Sequence, residues 1–253
     1  MRPVFQLEGA EVQFGAARAL HGVSLTVEEG EQLCVIGPSG SGKTTALGLM
    51  NGRRMPSAGS VRVFGEETGG MTAGRLREVR RDLAWVPQDL GLVPNLRVIQ
   101  NVLSGRAGRL GFWGLLRRMV LTPMADAEAV HGLLARLGIP EKLYERTDTL
   151  SGGQQQRVAI ARALYQAPAA ILADEPVASV DPGRARSLLR LLTTAAAEEG
   201  VTLVMSLHHV ELAREFFPRL VGLREGRVMF DQSVEETTRE ELDELYALGE
   251  AGD

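Results

Sequence analysis

With 253 residues, 44% of them hydrophobic, the chain is long enough to bury one large core with a subdomain. A formal net charge of −4 excludes the strongly basic field that selects nucleic acid. One cysteine, Cys34, excludes an internal disulfide and fits a reducing compartment, and no run of about 18 apolar residues exists to cross a bilayer.

In chain order, residues 4–14 and 23–27 read as strands, and Glu28-Glu29-Gly30 as a turn. Residues 32–36 form a short apolar strand with Cys34 inside it as a small buried thiol. That strand feeds Gly37-Pro38-Ser39-Gly40-Ser41-Gly42-Lys43-Thr44-Thr45, and a helix follows from 43 to about 51. Residues 60–64 alternate like an edge strand, 76–81 suit an exposed charged helix, and 83–86 form a strand ending at Pro87-Gln88. From about 95 to 165 the pattern is helical, with Val130, Leu133, Leu134 and Leu137 at spacings of three and four. Residues 170–173 and 203–207 read as buried strands with a helix over 182–198 between them, an alternation that argues for a parallel sheet with crossover helices. A hairpin turns at Glu225-Gly226, and 237–248 form an acidic amphipathic helix.

Three stretches carry chemistry. Gly37, Gly40 and Gly42 let the backbone curl so that successive N–H groups face phosphate oxygens, and the following helix adds its positive end. Lys43 is one of two lysines in an arginine-rich chain; its compact ammonium suits β- and γ-phosphates, and the Thr44 hydroxyl suits Mg²⁺. Asp174 ends an apolar strand as a candidate metal ligand, and Glu175 beside it is a candidate general base. Ser151-Gly152-Gly153-Gln154 precedes a helical run, with Ser151 as N-cap and two glycines baring N–H groups at the positive end. One γ-phosphate does not need two such cradles from one chain, so the economical arrangement is a head-to-tail dimer in which each chain closes over its partner's nucleotide.

A Leu150-Ser151-Gly152-Gly153-Gln154 segment between a phosphate loop and an acidic strand end resembles the ATP-binding-cassette (ABC) ATPases over nearly the whole chain. The resemblance implies an α/β fold, a P-loop NTPase of the ABC type with a parallel core sheet, an antiparallel β subdomain and a helical subdomain. It implies one nucleotide-binding domain over 1–253, with the helical subdomain at about 89–165. It also implies ATP and Mg²⁺ as ligands, with Phe14, residues 37–45, Thr44, Gln88 and Asp174 holding nucleotide and metal. Gln88 matches the Q-loop, preceded by Pro87 where an aromatic is usual. Asp181 in Ser179-Val180-Asp181-Pro182 matches the D-loop, and it also suits a helix N-cap before Pro182. His208 matches the switch histidine, with His209 as its rival, and Phe14 the aromatic that stacks on adenine.

Asn101–Gly108, Ala173–Ala178, Ser206–Val210 and Val221–Arg227 resemble the ATP-binding subunits of phosphonate importers. That implies a subunit peripheral on the cytoplasmic face of the inner membrane, joined to transmembrane permease subunits and, through them, to an extracytoplasmic solute-binding protein. It implies no nucleic-acid partner. The alternatives are an ATPase subunit for another solute and a non-transport ABC ATPase. Repair ATPases carry long coiled-coil insertions and translation factors a second cassette, and this chain reads as neither. Between 90 and 125 lie Arg97, Arg106, Arg109, Arg117 and Arg118 and no acid, a cationic strip that either docks permease loops near anionic headgroups or forms subdomain core with a solvated face.

Overall fold

A computed structural model describes residues 2–178 and 181–247. In chain order the elements are β1 (Pro3–Phe14), β2 (Ala17–Glu28), β3 (Gln32–Ile36), α1 (Lys43–Met50), β4 (Ala58–Val63), β5 (Glu66–Glu67), α2 (Ala73–Val79) and β6 (Leu83–Val86). There follow α3 (Val98–Leu103), α4 (Ala107–Val120), α5 (Met124–Arg136), α6 (Gly152–Tyr165), β7 (Ala170–Asp174) and α7 (Pro182–Glu198). The last are β8 (Thr202–Leu207), α8 (Val210–Phe216), β9 (Arg219–Arg224), β10 (Arg227–Ser233) and α9 (Arg239–Tyr246). The chain divides into two compact units, one drawn from 1–71 and 202–253, the other from 72–201.

The first unit holds an antiparallel sheet in the order β2-β1-β4-β5. It also holds β3 between β8 and β9, both parallel to it, with β10 antiparallel on β9. Leu33, Cys34, Val35 and Ile36 are all buried, a continuous apolar run rather than an alternation, as a central parallel strand requires. Burial pushes the Cys34 thiol far above its ordinary range, so it packs as a small hydrophobe. The β9–β10 hairpin joins Arg224 to Arg227 through Glu225 (φ 49°) and Gly226 (φ 72°), the two positive φ values that a type I′ turn needs.

Three expectations change in this unit. β2 begins at Ala17, not 23, because Phe14 and Ala17 pair across a two-residue turn; cross-strand pairing overrides the weak strand propensity of Ala-Arg-Ala. Residues 58–63 are not the sheet edge; the two-residue β5, too short for a periodic signal, lies outside them. α8 is likewise too short to announce itself. α9 starts at Arg239, where Thr238 and Glu241 form a capping box, and Leu248 lies outside the described residues.

In the second unit β6 and β7 pair in parallel, Leu83 opposite Ala170 and Val86 opposite Ala173. The helix expected over 76–81 begins at Ala73, because Thr72 accepts a hydrogen bond from the Arg75 N–H at 3.2 Å. The helical run from 95 to 165 is four helices: Gly111 (φ 67°) kinks α4, and Pro123 and Pro140 stand at the breaks that follow. Of the cationic strip, Arg97 and Arg117 are exposed, while the other three arginines have partners within this unit. Arg106 donates to the Tyr165 carbonyl at 2.8 Å and lies 4.3 Å over its ring, and Arg109 pairs with Asp82 at 2.7 Å. Arg118 pairs with buried Asp126 at 2.5 Å, which also accepts from the Tyr165 hydroxyl at 3.0 Å. Arg106 and Arg118 tie helices of this unit together, Arg109, itself exposed, ties α4 to the bend before β6, and α4 presents Phe112, Trp113 and Val120 to solvent.

Candidate functional site

The phosphate loop belongs to the first unit. It leaves β3 at Gly37 and enters α1 at Gly42 (φ 104°). A Cβ at Gly37 would stand 2.0 Å from the Leu223 carbonyl oxygen, and one at Gly42 would stand 2.8 Å from the Ala19 carbonyl oxygen. Both glycines are therefore required by close backbone approach. The β9–β10 turn holds the loop from below: the Gly226 N–H donates to the Ser41 carbonyl at 2.9 Å, and the His21 N–H to the Gly226 carbonyl at 2.8 Å. The sequence marked that turn only as a hairpin.

Lys43 is buried, and its Nζ donates to the carbonyls of Gly37 at 2.8 Å and Pro38 at 3.0 Å, which fixes the ammonium across the loop. Ser39, Gly40 and Thr44 are exposed; Pro38 and Thr45 are half-buried. Ser41 is buried, and its hydroxyl has no hydrogen-bond partner among the described residues. That hydroxyl is closed off from solvent and packs inside the loop, beside Gly37.

His208 stands one residue past Leu207, which pairs with Ile36, so it and Gly37 leave the same carboxyl end of two neighbouring strands. Ligands of parallel α/β sheets bind at such ends. The His208 ring lies 4.0 Å from that of His209, which is exposed at the N-cap of α8. Phe14 closes β1 at 44% exposure, so it is not a core side chain, and the Arg54 guanidinium covers its ring at 4.5 Å.

The second unit brings Gln88, Asp174 and Glu175 to one strand end. Val86 pairs with Ala173, which leaves Gln88 and Glu175 each two residues beyond the pair. Gln88 is exposed, Asp174 buried and Glu175 half-buried at φ 45°. A left-handed non-glycine residue costs on the order of 1–3 kcal/mol and clusters at working sites. The Ser151 hydroxyl accepts from the Gln154 N–H at 3.4 Å, while Gln154 Oε1 accepts from the Ser151 N–H at 2.9 Å. Gln154 thus completes a capping box that fixes the entry to α6. Asp181 caps α7 by accepting from the Arg184 N–H at 3.0 Å, with Pro182 in the first turn. Ser179 and Val180 of the same segment lie outside the described residues.

Two side chains went unforeseen here. Gln156 donates to the Pro176 carbonyl at 2.9 Å, tying α6 to the turn after Glu175. Arg162 donates to the carbonyls of Leu90 at 2.6 Å and Gly91 at 2.5 Å, where Leu90 (φ 61°) and Gly91 (φ 54°) are both left-handed. Burial lowers the Arg162 pKa and nearby Asp89 opposes the shift. The segment after Gln88 is therefore carried on the helix that Ser151 caps. Both residues sit inside an ordinary amphipathic helix, and nothing in their spacing announces a loop contact.

Among the described residues no cluster of three or more His, Cys, Asp or Glu could cage a metal. Mg²⁺ needs none, since it is bound through one or two protein groups plus substrate phosphates and waters. Thr44 and Asp174 are of the right chemistry.

A glycine loop leading from a buried parallel strand into a helix, its lysine drawn across its own carbonyls, defines an α/β P-loop NTPase. The sequence profile of the ABC transporter family matches residues 20–178. The phosphonates import ATP-binding protein PhnC of Pseudomonas putida is 46% identical over 95% of this chain and 89% of its own. The protein of the same name from a Polaromonas species is 44% identical over 92% of this chain and 83% of its own. Among solved structures, the ATP-binding cassette MJ0796, a dimer in a post-hydrolysis state bound to ADP and Pi, superimposes with a TM-score of 0.77. It is 30% identical and covers 91% of this chain and 98% of its own. The chain belongs to the ABC transporter family.

Proposed function

We propose that this chain is the ATP-hydrolysing subunit of an ABC importer that drives uptake of phosphonate or a related phosphorus oxyanion, the solute class named for its relatives. Residues 1–253 act as one nucleotide-binding domain. Lys43, Ser41 and the loop 37–45, through main-chain N–H groups from Ser39 onward, hold the phosphates, and Phe14 takes the adenine. Thr44, Gln88 and Asp174 hold Mg²⁺, which when bound neutralises phosphate charge. Glu175 takes a proton from the attacking water as that water's oxygen bonds to the γ-phosphorus, while the bond from that phosphorus to the β–γ bridging oxygen breaks and ADP leaves with the electron pair. His208 donates a hydrogen bond to the γ-phosphate, and Asp181 works at the dimer interface.

Two copies close head to tail, Ser151, Gly152 and Gly153 of each lidding the nucleotide of the other. ATP drives this by binding the closed pair more tightly than the open one. Closure is passed to transmembrane permease subunits served by an extracytoplasmic solute-binding protein. The chain sits peripherally on the cytoplasmic face of the membrane; among the described residues no helix is long and apolar enough to cross it. The exposed Phe112, Trp113 and Val120 of α4 are the surface offered to the permease.

One observation carries the dimer. A Cβ at Gly152 would meet nothing within 4 Å, and one at Gly153 only the Arg184 Cδ at 3.9 Å. Neither glycine has a positive φ. Glycine inside a helix is worse than alanine by roughly 0.5–1 kcal/mol, so the chain's own fold gives no reason for either. A phosphate brought from outside against bare N–H groups does. In Gly153→Ala the thermal midpoint should hold or rise, while ATP turnover falls by about tenfold or more, the cost of about 1.4 kcal/mol of lost phosphate contact. Wild-type turnover in that variant would remove the lid.

A further inference from the structure

α9 lies in the acidic tail, and its last residue, Tyr246, reaches the phosphate loop. The Tyr246 hydroxyl accepts from the Gly37 N–H at 3.1 Å and donates to the His208 carbonyl at 3.3 Å. Those residues follow Ile36 and Leu207, a pair in register on neighbouring strands, so one phenol oxygen bridges the two chain segments that leave that sheet end.

The tail is built to hold the phenol there. Thr238 and Glu241 cap α9 at its start, and Gln232 Nε2 donates to Glu241 Oε2 at 2.8 Å. Leu242 and Leu245 are buried, and the Arg224 guanidinium donates to the Glu244 carbonyl at the far end of the helix. Arg224 opens the β9–β10 turn whose Gly226 supports Ser41. Gly37 is thus held from two directions, by the Leu223 carbonyl, which leaves no space for a Cβ, and by Tyr246.

We propose that Tyr246 is a positioning residue for ATP hydrolysis: its hydroxyl fixes His208 relative to the phosphate loop, so that the tail sets the γ-phosphate sensor. This rests on the ATPase reading above. The hydroxyl acts through the His208 carbonyl, with the Gly37 N–H as its anchor on the loop, and its loss is expected to slow the steps that need the γ-phosphate.

The test is Tyr246→Phe in the full chain, which keeps the ring and removes only the hydroxyl. The expected result is a fall in kcat of about tenfold with KM for ATP and affinity for ADP within about twofold, the pattern of an interaction made only in the transition state. In a His208→Ala background, followed in single turnovers, the same replacement should change the rate by less than about twofold, because coupled residues are not additive. Unchanged kcat in Tyr246→Phe, beside a wild-type chain that hydrolyses ATP, would overturn the inference alone. An undiminished tenfold loss in the His208→Ala background would overturn it too, assigning the hydroxyl a role independent of His208. A wild-type chain with no ATP turnover would instead remove the function on which the inference rests.

Discussion

Replacing Glu175 with glutamine is expected to slow ATP hydrolysis by about 10²–10⁴, the ordinary worth of a positioned general base, while ATP still binds. Glu175 follows a strand in which Ala170, Ile171, Leu172, Ala173 and Asp174 are all buried, so its backbone is set by packing rather than by its own preference. It sits at φ 45°, and the Ala178 N–H donates to its carbonyl at 3.1 Å. Gln156 holds the next peptide through the Pro176 carbonyl. Glutamine has the same shape and hydrogen-bonding reach, so it keeps that geometry, but its amide cannot take a proton from water. The closed, ATP-loaded pair should therefore accumulate and be visible as a dimer by size-exclusion chromatography with ATP and Mg²⁺. Single-turnover rates near wild type would take the base role from Glu175.

Gly37→Ala should have the second-largest effect, on binding rather than chemistry. The added methyl would stand 2.0 Å from the Leu223 carbonyl oxygen, a backbone atom that cannot rotate away. It would also stand 2.9 Å from Ser41 Oγ. Overpacking of this kind costs about 1–3 kcal/mol. The loop can relieve it only by withdrawing from β9, which moves the two carbonyls that hold Lys43 and the amide held by Tyr246. Loss of measurable ATP binding by calorimetry, with a lowered thermal midpoint, is the expected outcome. Unaltered ATP affinity would show that the loop's position is not what binds phosphate.

The residues proposed to do the chemistry stand out in the sequence because their spacing suits a ligand rather than packing. A glycine loop ending in Lys43 and Thr44, two carboxylates after four apolar residues, and Ser151-Gly152-Gly153 before a helix each have few other physical reasons to exist. The residues that hold those groups in place were not legible. Arg162, Gln156 and Tyr246 act through backbone carbonyls and an amide far away in sequence, and such partners carry no side-chain signature. The pairings inside the cationic strip are illegible for a related reason. Arg106, Arg109 and Arg118 look like a surface field in one dimension, but their partners Tyr165, Asp82 and Asp126 lie outside the window in which they were counted. Short elements such as β5 and α8 carried too few residues to show a period.

One working site is expected to take its phosphate loop from one chain and its lid from another. Mixing two disabled full-length chains tests it: Lys43→Ala, and a chain carrying Ser151→Ala with Gly153→Asp. Each should be inactive by itself, and an equimolar mixture should regain ATP hydrolysis, because mixed pairs join an intact loop to an intact lid. If the mixture hydrolyses no more ATP than its separate components, the two halves do not meet across a dimer, and the account is contradicted.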